Sequence, residues 1–271
     1  MTDLEKVKQN GCALQFVEEQ TPELCLEAIK QSWTALEYVK EQTPEICLAA
    51  VKENEYALMD VKEQTPELCL EAVKQNGLVL DYVRNQTLEV CMEAVRNDGM
   101  ALEFVKVQTP EICLEAVKQN GRALQFVKVQ TPEICLEAVK QHSDALKWVE
   151  DQTSEMCLEA VKQDGLALKY VKNQTKEICT EAVKEHGFAL EFAEEQMPEM
   201  CLKAVRQNGL ILQYVKEQTL EVCIEAVKGD RYALRFVEPE FQEAVKAALA
   251  NESSKSISNN ADSNVKNINA F

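Results

Sequence analysis

Residues 109–130 read TPEICLEAVKQNGRALQFVKVQ, and the fold is decided in that stretch. Thr109 offers the hydroxyl that a helix N-cap needs. Pro110 sits at the first helical position, where its missing N–H costs nothing and its φ is preset. Glu111 puts negative charge in the first turn, where the helix dipole favours it, and Lys118 puts positive charge in the last. Ile112, Cys113, Leu114, Ala116 and Val117 form a broad apolar face. Glu111 and Glu115, four apart, share a wet one. Asn120-Gly121 stops the helix, with Gly121 expected as a left-handed cap. A second short helix is expected next, carried by Ala123, Leu124, Phe126 and Val127. It ends at Gln130 before the next Thr-Pro, because a residue preceding proline avoids the α region.

The same unit recurs in both directions. Thr21-Pro22-Glu23 returns at Thr43, Thr65, Thr109 and Thr131, with weaker copies at Thr87, Thr153, Thr175, Met197 and Thr219. Each step is 22 residues, without insertion or deletion. A self-similarity of this period is the signature of a repeat architecture. Neither helix of a unit is long enough to be stable alone in water, so the apolar faces must close on neighbouring units. The expected fold is an all-α solenoid of about ten two-helix repeats. A degenerate half repeat occupies 1–20, ten tandem repeats occupy 21–240, a capping helix occupies 241–250, and 251–271 reads as a disordered polar tail.

The string Ala116-Val117-Lys118-Gln119-Asn120-Gly121, followed by Ala123-Leu124 and Phe126-Val127, resembles the repeat of the family called domain of unknown function 4116. The resemblance covers nearly all of residues 4–240 and implies a repeat fold with no assigned catalytic residues. Thr-Pro-Glu stands here where the family often carries an acidic cap.

The second-helix leucine is present in all ten units, from Leu36 to Leu234, and an aromatic follows two residues later in nine. That aromatic row reads as core packing rather than as a base-stacking platform. Asp60 takes the aromatic's place in one unit. Burying its charge would be costly, so either the register shifts there or the position is only half buried.

Ten of the eleven cysteines fill one repeat position, from Cys25 to Cys223. Equivalent positions in stacked helices lie roughly 10 Å apart, the helix-packing distance. That is too far for a disulfide or a shared zinc, so these thiols read as small buried hydrophobes of a reducing compartment. Cys12 falls out of phase with them and is expected to be more exposed. The two histidines, His142 and His186, read as surface loop residues at different positions. No metal, cofactor or catalytic constellation is expected, and the chain is expected not to be an enzyme. The unit with Glu55, Tyr56 and Asp60, which breaks several repeat rules at once, is the place a pocket would have to be.

The net charge of −17 opposes phosphate backbones and anionic membranes. No secretory leader or membrane span is legible at the start or along the chain, which points to a cytoplasmic protein. One turn position varies while its neighbours hardly change: Thr34, Tyr56, Leu78, Met100, Arg122, Asp144, Leu166, Phe188, Leu210 and Tyr232. Seven of these ten are apolar or aromatic, which drift at an exposed position would not favour. The column, with nearby Glu103, Gln125, Lys147 and Lys169, is therefore the candidate surface for a protein partner with a basic face. The rival reading is an acidic mimic of nucleic acid, in which the rows Glu23-Glu45-Glu67-Glu89 imitate phosphates against interleaved Lys30, Lys52, Lys74 and Arg96.

Overall fold

The computed structural model describes residues 2–250; the stretch 251–271, read above as a disordered tail, lies outside the described residues. The described residues contain helices and no strands. They form an all-α solenoid, grouped in two compact units that meet in sequence at Glu150 and Asp151.

Each repeat pairs an α-helix with a short 3₁₀ helix. In the first unit Pro110–Gln119 is α-helical and Gly121–Phe126 is 3₁₀; in the second, Pro198–Gln207 is α-helical and Gly209–Tyr214 is 3₁₀. The chain starts with a shortened α-helix, Asp3–Gln9, which Thr2 and Glu5 close with a reciprocal capping box. A helix over 239–250, which begins two residues before the 241–250 of the sequence reading, closes the described residues and buries Val245.

The α-helices begin as the sequence dictates. Thr109 Oγ1 accepts the Ile112 N–H at 3.4 Å, and the same bond recurs from Thr21 to Thr219. Met197 alone among these N-caps has no hydroxyl and makes no cap bond. Ile112, Cys113, Ala116 and Val117 are buried, as are their equivalents along both units.

The second helix is 3₁₀, and this corrects the expected side-chain directions. At three residues per turn, side chains three apart eclipse one another. Leu124 and Val127 line up and point inward; both are buried. The aromatic, Phe126, is turned away by a third of a circle and is half-buried. The aromatic row is thus a half-buried flank and not a core row, and it is exposed at Tyr82 and, at 79%, at Phe16. Asp60 is accommodated because its position is only half buried. Its 3₁₀ helix, Glu55–Met59, also ends one residue early.

The glycine of each turn does not take a left-handed cap, since no described residue has positive φ. Its role is close approach. A Cβ on Gly121 would overlap the Ala138 carbonyl oxygen of the next repeat and would press on Gln141 and His142. Arg231 occupies this position in the last repeat, where no following repeat crowds it. Asn120 is extended instead of helical, and its Oδ1 accepts the Arg122 N–H at 3.0 Å, capping the 3₁₀ helix. His142 and His186 fill this same capping position, so they are equivalent residues, contrary to the sequence reading. Both are half-buried, make no cap bond, and have a buried Nδ1 without a partner.

Two side-chain brackets join successive repeats. Gln108 lies just before the Thr-Pro step. Its Nε2 donates to the Leu102 carbonyl at 3.5 Å and, across the repeat junction, to the Phe126 carbonyl at 2.8 Å. Its Oε1 accepts the Lys128 N–H at 3.0 Å and faces the Cys113 thiol at 3.6 Å. Gln20 and Gln196 repeat the pattern in the first and second units. The second bracket lies at the other end of the α-helix. Gln119 Oε1 accepts the Gly99 N–H at 2.6 Å, and Gln207 Oε1 accepts that of Gly187 at 2.6 Å. Backbone groups at and just beyond the ends of the 3₁₀ helices, such as the Gly99 N–H, the Phe126 carbonyl and the Lys128 N–H, are satisfied by these amides.

Candidate functional site

The variable column occupies the second residue of each 3₁₀ helix. In seven of the ten units its backbone is pinned by the preceding Asn or Asp. Asn54 Oδ1 accepts the Tyr56 N–H at 2.9 Å, Asp98 that of Met100 at 2.9 Å, and Asp164 that of Leu166 at 2.9 Å. In the first unit Tyr56, Leu78 and Arg122 are exposed and Thr34, Met100 and Asp144 are half-buried. In the second, Tyr232 is exposed and Leu166, Phe188 and Leu210 are half-buried. None of the ten is buried.

The eclipsed geometry sets Glu103, Gln125, Lys147 and Lys169 beside the column, three residues further on. All four are exposed. Lys147 Nζ lies 3.7 Å from Asp144 Oδ2, and Gln125 donates to the Arg122 carbonyl at 3.1 Å. Each 3₁₀ helix therefore has one inward flank of Leu and Val, one half-covered aromatic flank, and one open flank of variable chemistry.

Members of the open flank touch one another or the aromatic flank of the next repeat. Arg122 Nη2 lies 3.3 Å from Asp144 Oδ2. Tyr56 packs edge-to-face on Tyr82 at 6.1 Å, and Phe188 does the same with Tyr214 at 6.1 Å in the second unit. Cys12 belongs here. It is half-buried, out of phase with the other cysteines because it heads the column, and its Sγ lies 3.5 Å from Thr34 Oγ1.

The Gln bracket edge bears shallow clefts between successive repeats. One, of about 310 Å³, is lined by Gln108, Pro110, Cys113, Lys128, Val129 and Thr131; another, of about 320 Å³ in the second unit, by Gln196, Pro198, Cys201, Lys216, Thr219 and Val222 among others. The same repeat positions line both, so they are products of stacking and not one prepared pocket. Glu55, Tyr56 and Asp60 line neither. Glu55 accepts from Asn76 Nδ2 at 3.1 Å, and burial, then the negative charge of Glu37, pushes the Asp60 carboxyl above the usual carboxylate range.

The ten repeat-position thiols are free and buried. Burial raises Cys25, Cys47, Cys69, Cys91, Cys113, Cys157, Cys179 and Cys201 above the usual thiol range, and pushes Cys223 up to about 11, with Glu238 adding to it. A raised thiol is a poor nucleophile and a poor metal ligand at neutral pH. No group of three or more potential metal-binding side chains occurs among the described residues. No helix among them is long and apolar enough to cross a membrane.

A family model described as "Domain of unknown function (DUF4116)" matches residues 43–88, 65–108, 87–130, 109–152, 153–197 and 198–242. The chain belongs to the DUF4116 family. The first four DUF4116 matches start 22 residues apart and each spans about two repeats, so the family unit is a repeat pair with its junction. The Gln bracket thus falls inside the unit that defines the family. No curated protein and no solved structure matches the chain.

The sequence reading located the column and its charged neighbours but passed over both brackets. The signal was present, since glutamine stands just before the α-helix N-cap in every unit, from Gln20 to Gln218.

Proposed function

We propose that this chain is a non-catalytic scaffold that binds a protein partner through the open flank of its 3₁₀ helices. The observation that carries the reading is the division of labour within each short helix. The inward flank hardly changes, whereas the column takes seven residue types over the ten units and none of its side chains is buried. Repeat proteins use such a constant frame to present variable side chains to a ligand. The net charge of −17 favours a partner with a basic face. The free, buried thiols fit an intracellular, reducing setting.

The alternative, an acidic mimic of nucleic acid, has less support. Arg96 pairs with Glu115 of the next repeat at 2.9 Å, and Arg206 with Glu225 at 3.1 Å. Such pairs alternate sign along the α-helical face, and a phosphate-like field needs one sign.

The test is affinity capture from cells that produce the protein, with the unaltered chain and with a chain whose ten column residues are serine. The reading expects a partner that the serine chain loses while it keeps its helical circular dichroism. A partner held equally by both chains refutes it.

A further inference from the structure

We propose that the flank formed by Tyr56, Met59, Leu78 and Tyr82 is a docking site for a lysine- or arginine-bearing segment of a partner protein. The inference rests on the interaction reading above and narrows it to one place and one chemistry.

The first observation is exposure. Tyr56, Met59, Leu78 and Tyr82 are 36%, 42%, 38% and 37% exposed, and all four come from two successive 3₁₀ helices, Glu55–Met59 and Gly77–Tyr82. Among the other large exposed apolar side chains of the described residues, Phe16 and Tyr232 share these repeat positions but stand apart, on the first and last 3₁₀ helices, and the rest lie outside the 3₁₀ helices. Glu55 stands where most turns have the close-packing glycine, so a side chain stands at this junction where none stands at most others. Its carboxylate is engaged by Asn76 Nδ2 at 3.1 Å, and the same Nδ2 lies 3.3 Å from the Tyr56 hydroxyl. The Tyr56 ring is thereby anchored, at 6.1 Å and 67° to that of Tyr82. The aromatic pair is held in place before any partner arrives, which lowers the ordering cost of binding.

The second observation is charge. Three repeats supply a cation to their own ring. Lys147 Nζ stands 4.0 Å from the centre of Trp148, Lys169 Nζ 4.8 Å from that of Tyr170, and the Arg235 guanidinium 4.5 Å from that of Phe236. In each case the cation is the residue just before the ring. At the Tyr56 flank that residue is acidic or neutral: Glu37 before Tyr38, Asp81 before Tyr82, and Met59 before Asp60. Among the described residues no cation of the chain lies over Tyr38, Tyr56 or Tyr82. The carboxylates also crowd one another. The negative charge of Glu37, with burial, pushes the Tyr38 phenol up, and burial followed by Glu37 does the same to the Asp60 carboxyl. An incoming cation finds ring faces that attract it and carboxylates whose mutual repulsion it relieves.

The experiment titrates an end-capped hexalysine peptide into the full chain at about 0.15 M salt, where distant surface charges are screened. Binding is read by calorimetry and by the tyrosine ring signals in NMR. Asp81→Lys supplies the missing internal cation, and Glu191→Lys makes the same charge change beside Phe192 in the second unit. Tyr82→Leu removes a ring without altering charge, and Tyr214→Leu is its counterpart in the second unit. Asp81→Lys is expected to weaken binding about tenfold and Tyr82→Leu about fivefold, with less than about twofold for the two controls. The Tyr56 and Tyr82 ring signals are expected to shift first. Equal losses for Asp81→Lys and Glu191→Lys, an unchanged affinity in Tyr82→Leu, or no binding by the unaltered chain each overturns the inference. None of these outcomes touches the capture test on the serine chain, so the two readings fail separately.

Discussion

The side-chain amide of Gln108 donates to the backbone carbonyl of Phe126, eighteen residues ahead in the next repeat, at 2.8 Å. The same amide group accepts the Lys128 N–H and faces the Cys113 thiol, so one side chain satisfies backbone on both sides of a junction. Hydrophobic burial supplies the drive to stack, but it is non-directional. The amide fixes the register of one repeat on the next.

Gln108→Ala should cost about 2–4 kcal/mol, because it leaves a partly buried carbonyl and N–H unpaired besides losing the bonds themselves. Urea unfolding checks this. Amide hydrogen exchange should show faster exchange at Lys128 than at Lys40, whose own bracket, Gln20, is untouched. A loss below about 0.5 kcal/mol, the level of an ordinary surface substitution, would show that the bracket is incidental.

Two glycines should respond oppositely to alanine. Gly121→Ala drives a methyl against the Ala138 carbonyl and should cost about 1–3 kcal/mol, as overpacking does. Gly229 closes the helix Leu220–Gly229 with ordinary helical space around it, the nearest atoms being 3.9 and 4.0 Å from a Cβ. Gly229→Ala should therefore stabilise by roughly 0.5–1 kcal/mol through the unfolded chain. Thermal melts of the two variants give the sign directly.

Much of this fold is legible in the sequence, and particular residues show why the rest is not. Thr109-Pro110-Glu111 announces a helix start because capping is local chemistry, and the hydroxyl bond to Ile112 is where it was expected. Gly121 was misread because a left-handed cap and a close approach both call for glycine, and only the neighbouring repeat distinguishes them. The 3₁₀ helix was missed because Ala123, Leu124, Phe126 and Val127 satisfy an α-helical spacing equally well. That error carried the aromatics into the core. The column survived it, since its variability is visible without knowing the helix type. His142 and His186 went unmatched because both stand where most repeats have Asn or Asp, in a capping position that had not been recognised.

Met197→Thr should restore the one N-cap hydroxyl that the series lacks. Its expected gain is about 1 kcal/mol, seen as a higher urea midpoint with an unchanged slope.

The thiols impose an alkaline limit. The nine buried cysteines named above are harder to ionise in the folded chain than in the unfolded one, where thiols titrate at their ordinary value. Their contribution is fully present below that ordinary value, about 9, and is lost as pH rises through the folded values, about 11 for Cys223. Melting temperature should hold steady as pH climbs to about 8 and then fall by several degrees towards 11. Cys223→Ala lowers stability at neutral pH but should flatten the alkaline fall. A variant with an equally steep fall would place the alkaline sensitivity elsewhere.

Oxidative footprinting of the chain with its captured partner addresses the binding face most directly, because hydroxyl radicals mark exposed tyrosine, methionine, leucine and valine side chains. Tyr56, Met59 and Leu78 lie on the open flank of the short helices and Tyr82 on the aromatic flank beside it, whereas Val107 and Val129, 77% and 76% exposed, lie along the bracket edge. Partner binding should protect the first four and leave both valines as reactive as in the free chain. Protection of Val107 and Val129, with Tyr56 and Tyr82 still oxidised at the free rate, would contradict recognition through the column.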